Sequence, residues 1–205
     1  MTAGSQSPRA WQRMLSGRRL DLLEPSPLDV EIEDIAHGLA RVARWNGQTR
    51  GGNAFSVAQH STNVWQVFCK LTPKASPHDE LAALLHDAPE YVIGDMISPF
   101  KAVLGGEYKN VEARLQEAIH LRYSLPRQIS GSVKASIKKA DSISAYFEAT
   151  ELAGFEKEEA RSFFGTPRGF TKEQFDLRPK TSGQAQKTFL ENFHRIERRR
   201  KNHAA

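Results

Sequence analysis

The sequence predicts an all-α protein of six to eight helices in one domain. Most of its 205 residues fall into segments in which apolar residues recur every three or four positions, which is the spacing of one helix face. No segment shows the alternation of apolar and polar residues that is typical of a β-strand. A chain of this length suits a single domain, which buries roughly 70% of its unfolded surface and needs no disulfide to fold.

The composition excludes several classes of protein. A single cysteine rules out a disulfide-stabilised scaffold and fits a reducing compartment. No stretch approaches the roughly 18 apolar residues of a membrane span, and the first residues lack the basic and then apolar pattern of a signal peptide. We therefore expect a cytoplasmic protein that has no membrane partner.

The net charge of +5 favours anionic partners such as nucleotides or nucleic acid, but only weakly. Much of the excess lies in a basic run near the end of the sequence, which comprises Arg195, Arg198, Arg199, Arg200 and Lys201. Such a run is more often a solvated helix end than a binding arm. We therefore expect a nucleotide partner rather than nucleic acid.

The first part of the chain predicts two helices. A short helix is expected near residues 8–15, and it is followed by a loop that contains Pro25 and Pro27. The next helix is predicted over residues 29–43. Its apolar positions recur at helical steps, and they are Ile32, Ile35, Ala36, Leu39, Val42 and Ala43.

Two capping motifs predict the starts of the following helices. The S-x-x-Q motif that begins at Ser56 has the spacing of a capping box. Ser76 is expected to cap another helix, with Pro77 at its first position. Because Pro89 cannot continue an unbroken helix, this helix is expected to kink or end near Ala88.

The second part of the chain predicts three long helices, over residues 107–123, 132–152 and 184–199, with a loop and one short helix over 154–182. We expect the first 30 residues, and those from 155 onward, to pack on the remainder as extensions of one domain.

Four polar residues fall on or beside helix faces that should be buried, and they are His60, His86, Asp87 and Asp141. An unpaired buried charge costs several kcal/mol, so buried aspartate is uncommon unless it is paired or binds metal. Two imidazoles and two carboxylates on three helices predict a cage for one divalent metal. These mixed donors favour Mn, Fe, Co, Ni or Zn over Ca, and Mg stays among the candidates.

Each of these residues has an ordinary explanation when it is taken alone. A single histidine on an apolar helix face is usually a hydrogen-bonded core residue, and Asp141 alone could be the buried partner of an arginine. The combination of one histidine, a His-Asp doublet on a leucine-rich helix and a later aspartate is far more specific.

This combination resembles the HD-domain metal-dependent phosphohydrolases. In that resemblance His60 is the first histidine, His86-Asp87 is the doublet and Asp141 is the last aspartate. The chain is most similar to the bacterial 5′-deoxynucleotidase-like branch, over about residues 35–152. The motifs that carry this similarity are Arg44-Trp45, Gln59-His60-Ser61, His86-Asp87-Ala88-Pro89-Glu90, Gly94-Asp95 and Ser98-Pro99-Phe100-Lys101.

The resemblance implies an HD-domain-like helical bundle and hydrolysis of a phosphate ester. A metal in such a site lowers the pKa of water and polarises a phosphoryl oxygen. The resemblance assigns Glu90 the removal of a proton from the attacking water, and Asp95 the role of acid or water-positioner. The alternative for both residues is a loop carboxylate that caps backbone N–H groups.

Three residues are candidates for substrate binding. Arg44 offers a planar fork for a phosphate, and Lys101 is a weaker phosphate candidate at the rim of the site. Trp45 could pack against the sugar or base, or could be a core aromatic that ends its helix. In the related enzymes the Arg-Trp pair seats the nucleotide and favours deoxyribose.

These observations lead to one preferred function and two alternatives. We expect hydrolysis of a deoxynucleoside 5′-monophosphate to nucleoside and phosphate by a homodimer, since related enzymes are dimers. A close alternative is release of tripolyphosphate from a deoxynucleoside triphosphate, or cleavage of another phosphoester. An alternative of another class is a non-catalytic nucleic-acid-binding protein with a structural metal.

Overall fold

The computed structural model describes residues 9–97 and 106–204, and Lys101 lies outside them. Within the described residues the fold is all-α except for one two-stranded hairpin, which confirms the predicted fold class. The eight α-helices of this part of the chain are α1 (Ile32–Leu39), α2 (Val57–Leu71), α3 (Pro77–Leu84), α4 (Glu90–Ile93), α5 (Gly106–Arg122), α6 (Gly131–Glu151), α7 (Lys157–Phe164) and α8 (Ser182–Ala204). None of them has the length and hydrophobicity needed to cross a lipid bilayer.

The prediction of a helix near residues 8–15 is wrong for the described part of that segment. Strand β1 (Trp11–Arg13) pairs with strand β2 (Arg19–Asp21) in an antiparallel hairpin. The hairpin is anchored by Leu20, which is fully buried, and by the carboxylate of Asp34, which accepts a hydrogen bond from the backbone N–H of Ser16 at 3.0 Å. Strands of three residues with one buried side chain are too short to show an alternating pattern.

The helix starts that the capping motifs predict are confirmed. The Ser56 hydroxyl accepts a hydrogen bond from the backbone of Gln59 at the start of α2, and Ser76 forms a capping box with Asp79 at the start of α3. Helix α1 is shorter than expected, since it covers eight residues. Helix α3 ends before the His-Asp doublet and α4 begins directly after Pro89, as the effect of proline on a helix predicts.

Helix α2 is the central element of the core, since it packs against α3, α6 and α8. Helix α1 packs against α4 and α8, and α6 packs against α7. One hydrophobic cluster extends from Leu20 in the hairpin to Ile196 in α8. The segments on both sides of the motif region therefore contribute to the same core.

The basic run near the end of α8 differs from the expectation of a solvated helix end. Arg199 donates hydrogen bonds of 2.7 and 2.8 Å to both carboxylate oxygens of Glu80, which is buried on α3. Arg200 binds Glu197, and its side chain is only 10% exposed. Part of the run therefore attaches α8 to the bundle.

Candidate metal centre and active site

The four predicted metal ligands come together from three parts of the chain. Helix α2 supplies His60, the turn between α3 and α4 supplies His86 and Asp87, and α6 supplies Asp141. Nε2 of His60 lies 3.4 Å from Oδ1 of Asp141 and 3.5 Å from Oδ2 of Asp87. Nε2 of His86 lies 3.1 Å from the same Asp87 oxygen. One potential donor atom from each of His60, His86 and Asp141 lies within 4.8 Å of the other two.

The hydrogen bonds of the two histidines leave their Nε2 atoms directed to this cluster. Nδ1 of His60 donates to Glu148 at 2.6 Å, and Nδ1 of His86 donates to the carbonyl oxygen of Ala83 at 3.0 Å. Both Nε2 atoms are buried and have no hydrogen-bond partner within the described residues. Two imidazole nitrogens that face carboxylate oxygens without a hydrogen bond are a donor set suited to a divalent cation.

The electrostatics of the cluster favour a positive charge between the carboxylates. Burial by itself would raise the pKa of Asp87 and of Asp141, but the imidazoles of His60 and His86 hold both pKa values below the usual carboxyl range. Burial and Arg44 oppose protonation of His60, yet the surrounding carboxylates raise its pKa above the ordinary value. The aspartates are thus ionised, as metal ligands must be.

The turn that carries Arg44 and Trp45 has an unusual backbone. It is a short 3-10 segment, Arg44–Gly47, between α1 and α2. Trp45 and Asn46 both adopt the left-handed conformation, with φ of 57° and 50°. Residues other than glycine rarely adopt it, and such strain is concentrated at functional sites.

This backbone places Arg44 beside several acidic groups. Its Nη1 donates to Asp95 at 2.9 Å and its Nε to Glu148 at 3.4 Å. Burial disfavours the guanidinium charge, but Glu148, Asp95, Asp87 and Glu90 together raise the pKa of Arg44. Arg44 therefore keeps its charge in a largely buried position.

The two predicted catalytic carboxylates lie at the two ends of α4. Glu90 is buried at the first position of α4, and Asp95 follows the glycine that ends this helix. Asp95 is bound to Arg44, and the charge of Glu90 also acts on that guanidinium. The structure thus places both carboxylates near the Arg44 guanidinium.

Trp45 belongs to an aromatic cluster that the sequence did not indicate. Its ring centroid lies 5.5 Å from that of Phe155 and 5.9 Å from that of Phe164 on α7. The Phe163 ring is next to both phenylalanines and is exposed. The chain beyond residue 152 therefore forms part of the surroundings of the site.

Glu148 is the residue of the site that sequence reasoning missed. It is fully buried on α6, seven residues and about two turns after Asp141. Its Oε1 accepts the hydrogen bond from His60, and its Oε2 accepts hydrogen bonds from Trp45 and Arg44. The signal that could have found it is the spacing from Asp141, which puts both carboxylates on one side of α6.

Comparisons with known proteins identify the family of this chain. Residues 34–194 match the sequence profile of a family described as 5′-deoxynucleotidase YfbR-like. The chain belongs to this family. Membership of the YfbR-like family confirms the resemblance to the HD-domain superfamily, and it extends the similarity beyond residue 152 to include α7 and most of α8.

Two relatives in particular resemble this YfbR-like chain. An uncharacterized protein of Rhodobacter capsulatus is 58% identical over 159 residues, which cover 78% of the chain and 81% of that protein. The uncharacterized protein YfdR of Escherichia coli is 31% identical over 175 residues, which cover 84% of the chain and 88% of YfdR. The YfbR-like family indicates a phosphohydrolase with a divalent metal, and the close approach of His60, His86 and Asp141 agrees with it.

Proposed function

We propose that the protein is a metal-dependent phosphohydrolase that converts a deoxynucleoside 5′-monophosphate to nucleoside and phosphate. The observation that carries the proposal is the pair of buried Nε2 atoms of His60 and His86, which face carboxylate oxygens of Asp87 and Asp141 and have no hydrogen-bond partner among the described residues. The candidate ions are Mn, Co, Fe, Ni, Zn and Mg.

The ligand set in this proposal is His60, His86, Asp87 and Asp141. When bound there, a divalent ion supplies a Lewis acid for a phosphoryl oxygen and increases the acidity of water. We assign the carboxylate of Glu90 to accept the proton of the attacking water. Glu90 is buried at the first position of α4, three residues along the chain after Asp87.

Arg44 binds the phosphate in this proposal. A guanidinium has five N–H donors, and the contacts with Asp95 and Glu148 use two of them within the described residues. The other donors are available to phosphate oxygens, which a planar fork binds in pairs. Because the Asp95 carboxylate is bound to Arg44, we assign Asp95 the positioning of this guanidinium.

Trp45 contacts the sugar or base in this proposal, at the edge of its cluster with Phe155 and Phe164. Lys101 keeps its sequence-based role as a weaker phosphate contact. The substrate class in this proposal is defined by the phosphate ester of the nucleotide, which the metal site and Arg44 would bind.

The test is a phosphate-release screen of nucleoside mono-, di- and triphosphates, ribo and deoxy, each with several divalent metals. Chromatography of the products separates the candidate reactions. Free phosphate from a deoxynucleoside monophosphate supports the proposal, whereas tripolyphosphate from a triphosphate supports the alternative reaction. No turnover of any phosphoester, together with salt-sensitive binding of nucleic acid, would favour the non-catalytic alternative.

We also propose a cytoplasmic homodimer. The dimer rests on the family resemblance, and the cytoplasmic location on the sequence composition. Sedimentation at micromolar concentration tests the dimer, because a single species of 23 kDa would contradict it.

A further inference from the structure

Glu148 joins three residues that lie on two different elements. Nδ1 of His60 on α2, and Nε1 of Trp45 and Nε of Arg44 on the turn, all donate to its two carboxylate oxygens. The side chain is fully buried, and a buried carboxylate is stable only when its charge is compensated. Three N–H donors to its two oxygens supply this compensation.

We infer that Glu148 is a positioning residue that couples the metal ligand His60 to the substrate-binding turn. The inference rests on the proposed function for the roles of Arg44 and Trp45. The coupling is direct, because Oε1 of Glu148 binds His60 and Oε2 of the same side chain binds Trp45.

The first half of the coupling concerns the metal. A carboxylate that accepts the Nδ1 proton of a histidine fixes the tautomer, orients the ring and increases the basicity of Nε2. Nε2 is the atom of His60 that faces Asp87 and Asp141. Glu148 therefore sets the affinity of the site for its ion without touching the ion.

The second half concerns the turn. Trp45 and Asn46 are held in a left-handed conformation that persists only where surrounding contacts determine it. Arg44 has a second anchor in Asp95, but Glu148 is the only hydrogen-bond acceptor of the Trp45 indole within the described residues. Loss of the Glu148 carboxylate should therefore release the indole first.

The experiment compares Glu148→Gln with Glu151→Gln, a matched control on the same helix whose carboxylate pairs with exposed Lys172. The glutamine amide keeps one acceptor for His60 but presents an N–H group to the N–H donors of Trp45 and Arg44. Metal affinity is measured without substrate, by competition between the apo protein and a chelating indicator for Zn²⁺ or Mn²⁺. We expect the affinity of Glu148→Gln to fall about 10- to 100-fold and that of the control to stay unchanged.

Steady-state kinetics at saturating metal test the second half of the coupling. Glu148→Gln should raise KM for the nucleotide, because Arg44 and Trp45 are displaced even when the metal site is full. A purely structural role would lower the melting temperature of the apo protein and leave metal affinity and KM at wild-type values, and this result would overturn the inference.

Trp45→Phe provides a second variant that keeps Glu148 and all four metal ligands. Because the indole N–H helps to hold the Glu148 carboxylate in the orientation that binds His60, the coupling predicts a several-fold loss of metal affinity although Trp45 is not a ligand. Unchanged metal affinity in Trp45→Phe would overturn the coupling even if Glu148→Gln failed to fold. If the wild-type protein hydrolysed no nucleotide while both variants lost metal affinity, the proposed function would fail and the coupling at the metal would hold.

Discussion

The Nη1 atom of Arg44 lies 2.9 Å from Oδ2 of Asp95, and this ion pair joins the turn after α1 to the segment after α4. Both side chains are largely buried, so the pair is poorly screened by solvent. The same pair explains how a short strained turn keeps its guanidinium next to the metal cluster.

The first prediction concerns this pair. Asp95→Asn removes the charge that holds Nη1, so we expect kcat/KM for the nucleotide to fall about tenfold or more and the free energy of unfolding to fall by about 1–3 kcal/mol. Metal affinity should change less than kcat/KM, because Asp95 contacts no metal ligand among the described residues and Arg44 keeps its hydrogen bond to Glu148. Steady-state kinetics measure the change in kcat/KM, and urea denaturation measures the change in the free energy of unfolding.

The control for this prediction is Asp176→Asn. Asp176 pairs with Arg178 and Lys180 at the surface, where the loss of an ion pair costs about 0–1 kcal/mol. If Asp95→Asn behaved like this control in both measurements, the Arg44–Asp95 pair would have no role in substrate binding.

The second prediction concerns Glu90. Glu90→Gln keeps the size of the side chain but cannot accept a proton, so kcat should fall about 10²- to 10⁴-fold. Metal content, measured by elemental analysis, and the far-UV circular dichroism spectrum should stay at wild-type values. A variant that kept its turnover would exclude Glu90 as the proton acceptor.

The third prediction concerns Asp141, which supplies one of two carboxylates to the proposed metal site. Asp141→Ala should lose metal and stability together, since the remaining ligands are left buried without compensation. In the wild-type protein, metal at 100 times its Kd should add about 2.7 kcal/mol to the free energy of unfolding, and this increment should vanish in the variant. Melting curves with and without added metal measure it, and full metal occupancy of the variant would show that Asp141 is not a ligand.

The cluster of His60, His86, Asp87 and Asp141 was predictable because its residues break a periodic pattern. His60 occupies an apolar position of α2, and the doublet directly follows a run of leucines and alanines that ends α3. Polar residues at apolar positions are visible without knowledge of the tertiary structure. The helix starts at Ser56 and Ser76 were predictable for a similar reason, since a capping motif is local in sequence.

Other contacts were not predictable because they depend on the tertiary structure. The spacing from Asp141 could have indicated Glu148, but its contacts with Arg44 and Trp45 join positions 104 and 103 residues apart. The pair of Glu80 and Arg199 joins positions 119 residues apart. The two strands have only Leu20 as a buried side chain, and one apolar position cannot show the alternation of apolar and polar residues that marks a strand.

The fourth prediction concerns the dependence of stability on pH. His120 is buried on α5, where its Nδ1–H donates to the carbonyl oxygen of Pro126 at 3.1 Å and its Nε2 accepts from the Gln116 amide at 2.7 Å. The same amide donates to the carbonyl oxygen of Leu85, the residue before the doublet. His120 therefore supports the segment that presents His86, provided that its ring is neutral.

Burial lowers the pKa of His120 more than its contacts with the backbone carbonyls of Pro126 and Arg127 raise it. The unfolded chain consequently takes up a proton near the ordinary histidine pKa of about 6.5, whereas the folded protein does so only at lower pH. The stability that comes from this difference is present above pH 6.5 and is lost as the pH falls below it. His120→Gln should be less stable than the wild-type protein at pH 8, and the gap should narrow at pH 5.5, where the wild type has lost part of this contribution. Urea denaturation of both proteins at the two pH values measures the gap, and an equal gap at both would show that His120 does not titrate on unfolding.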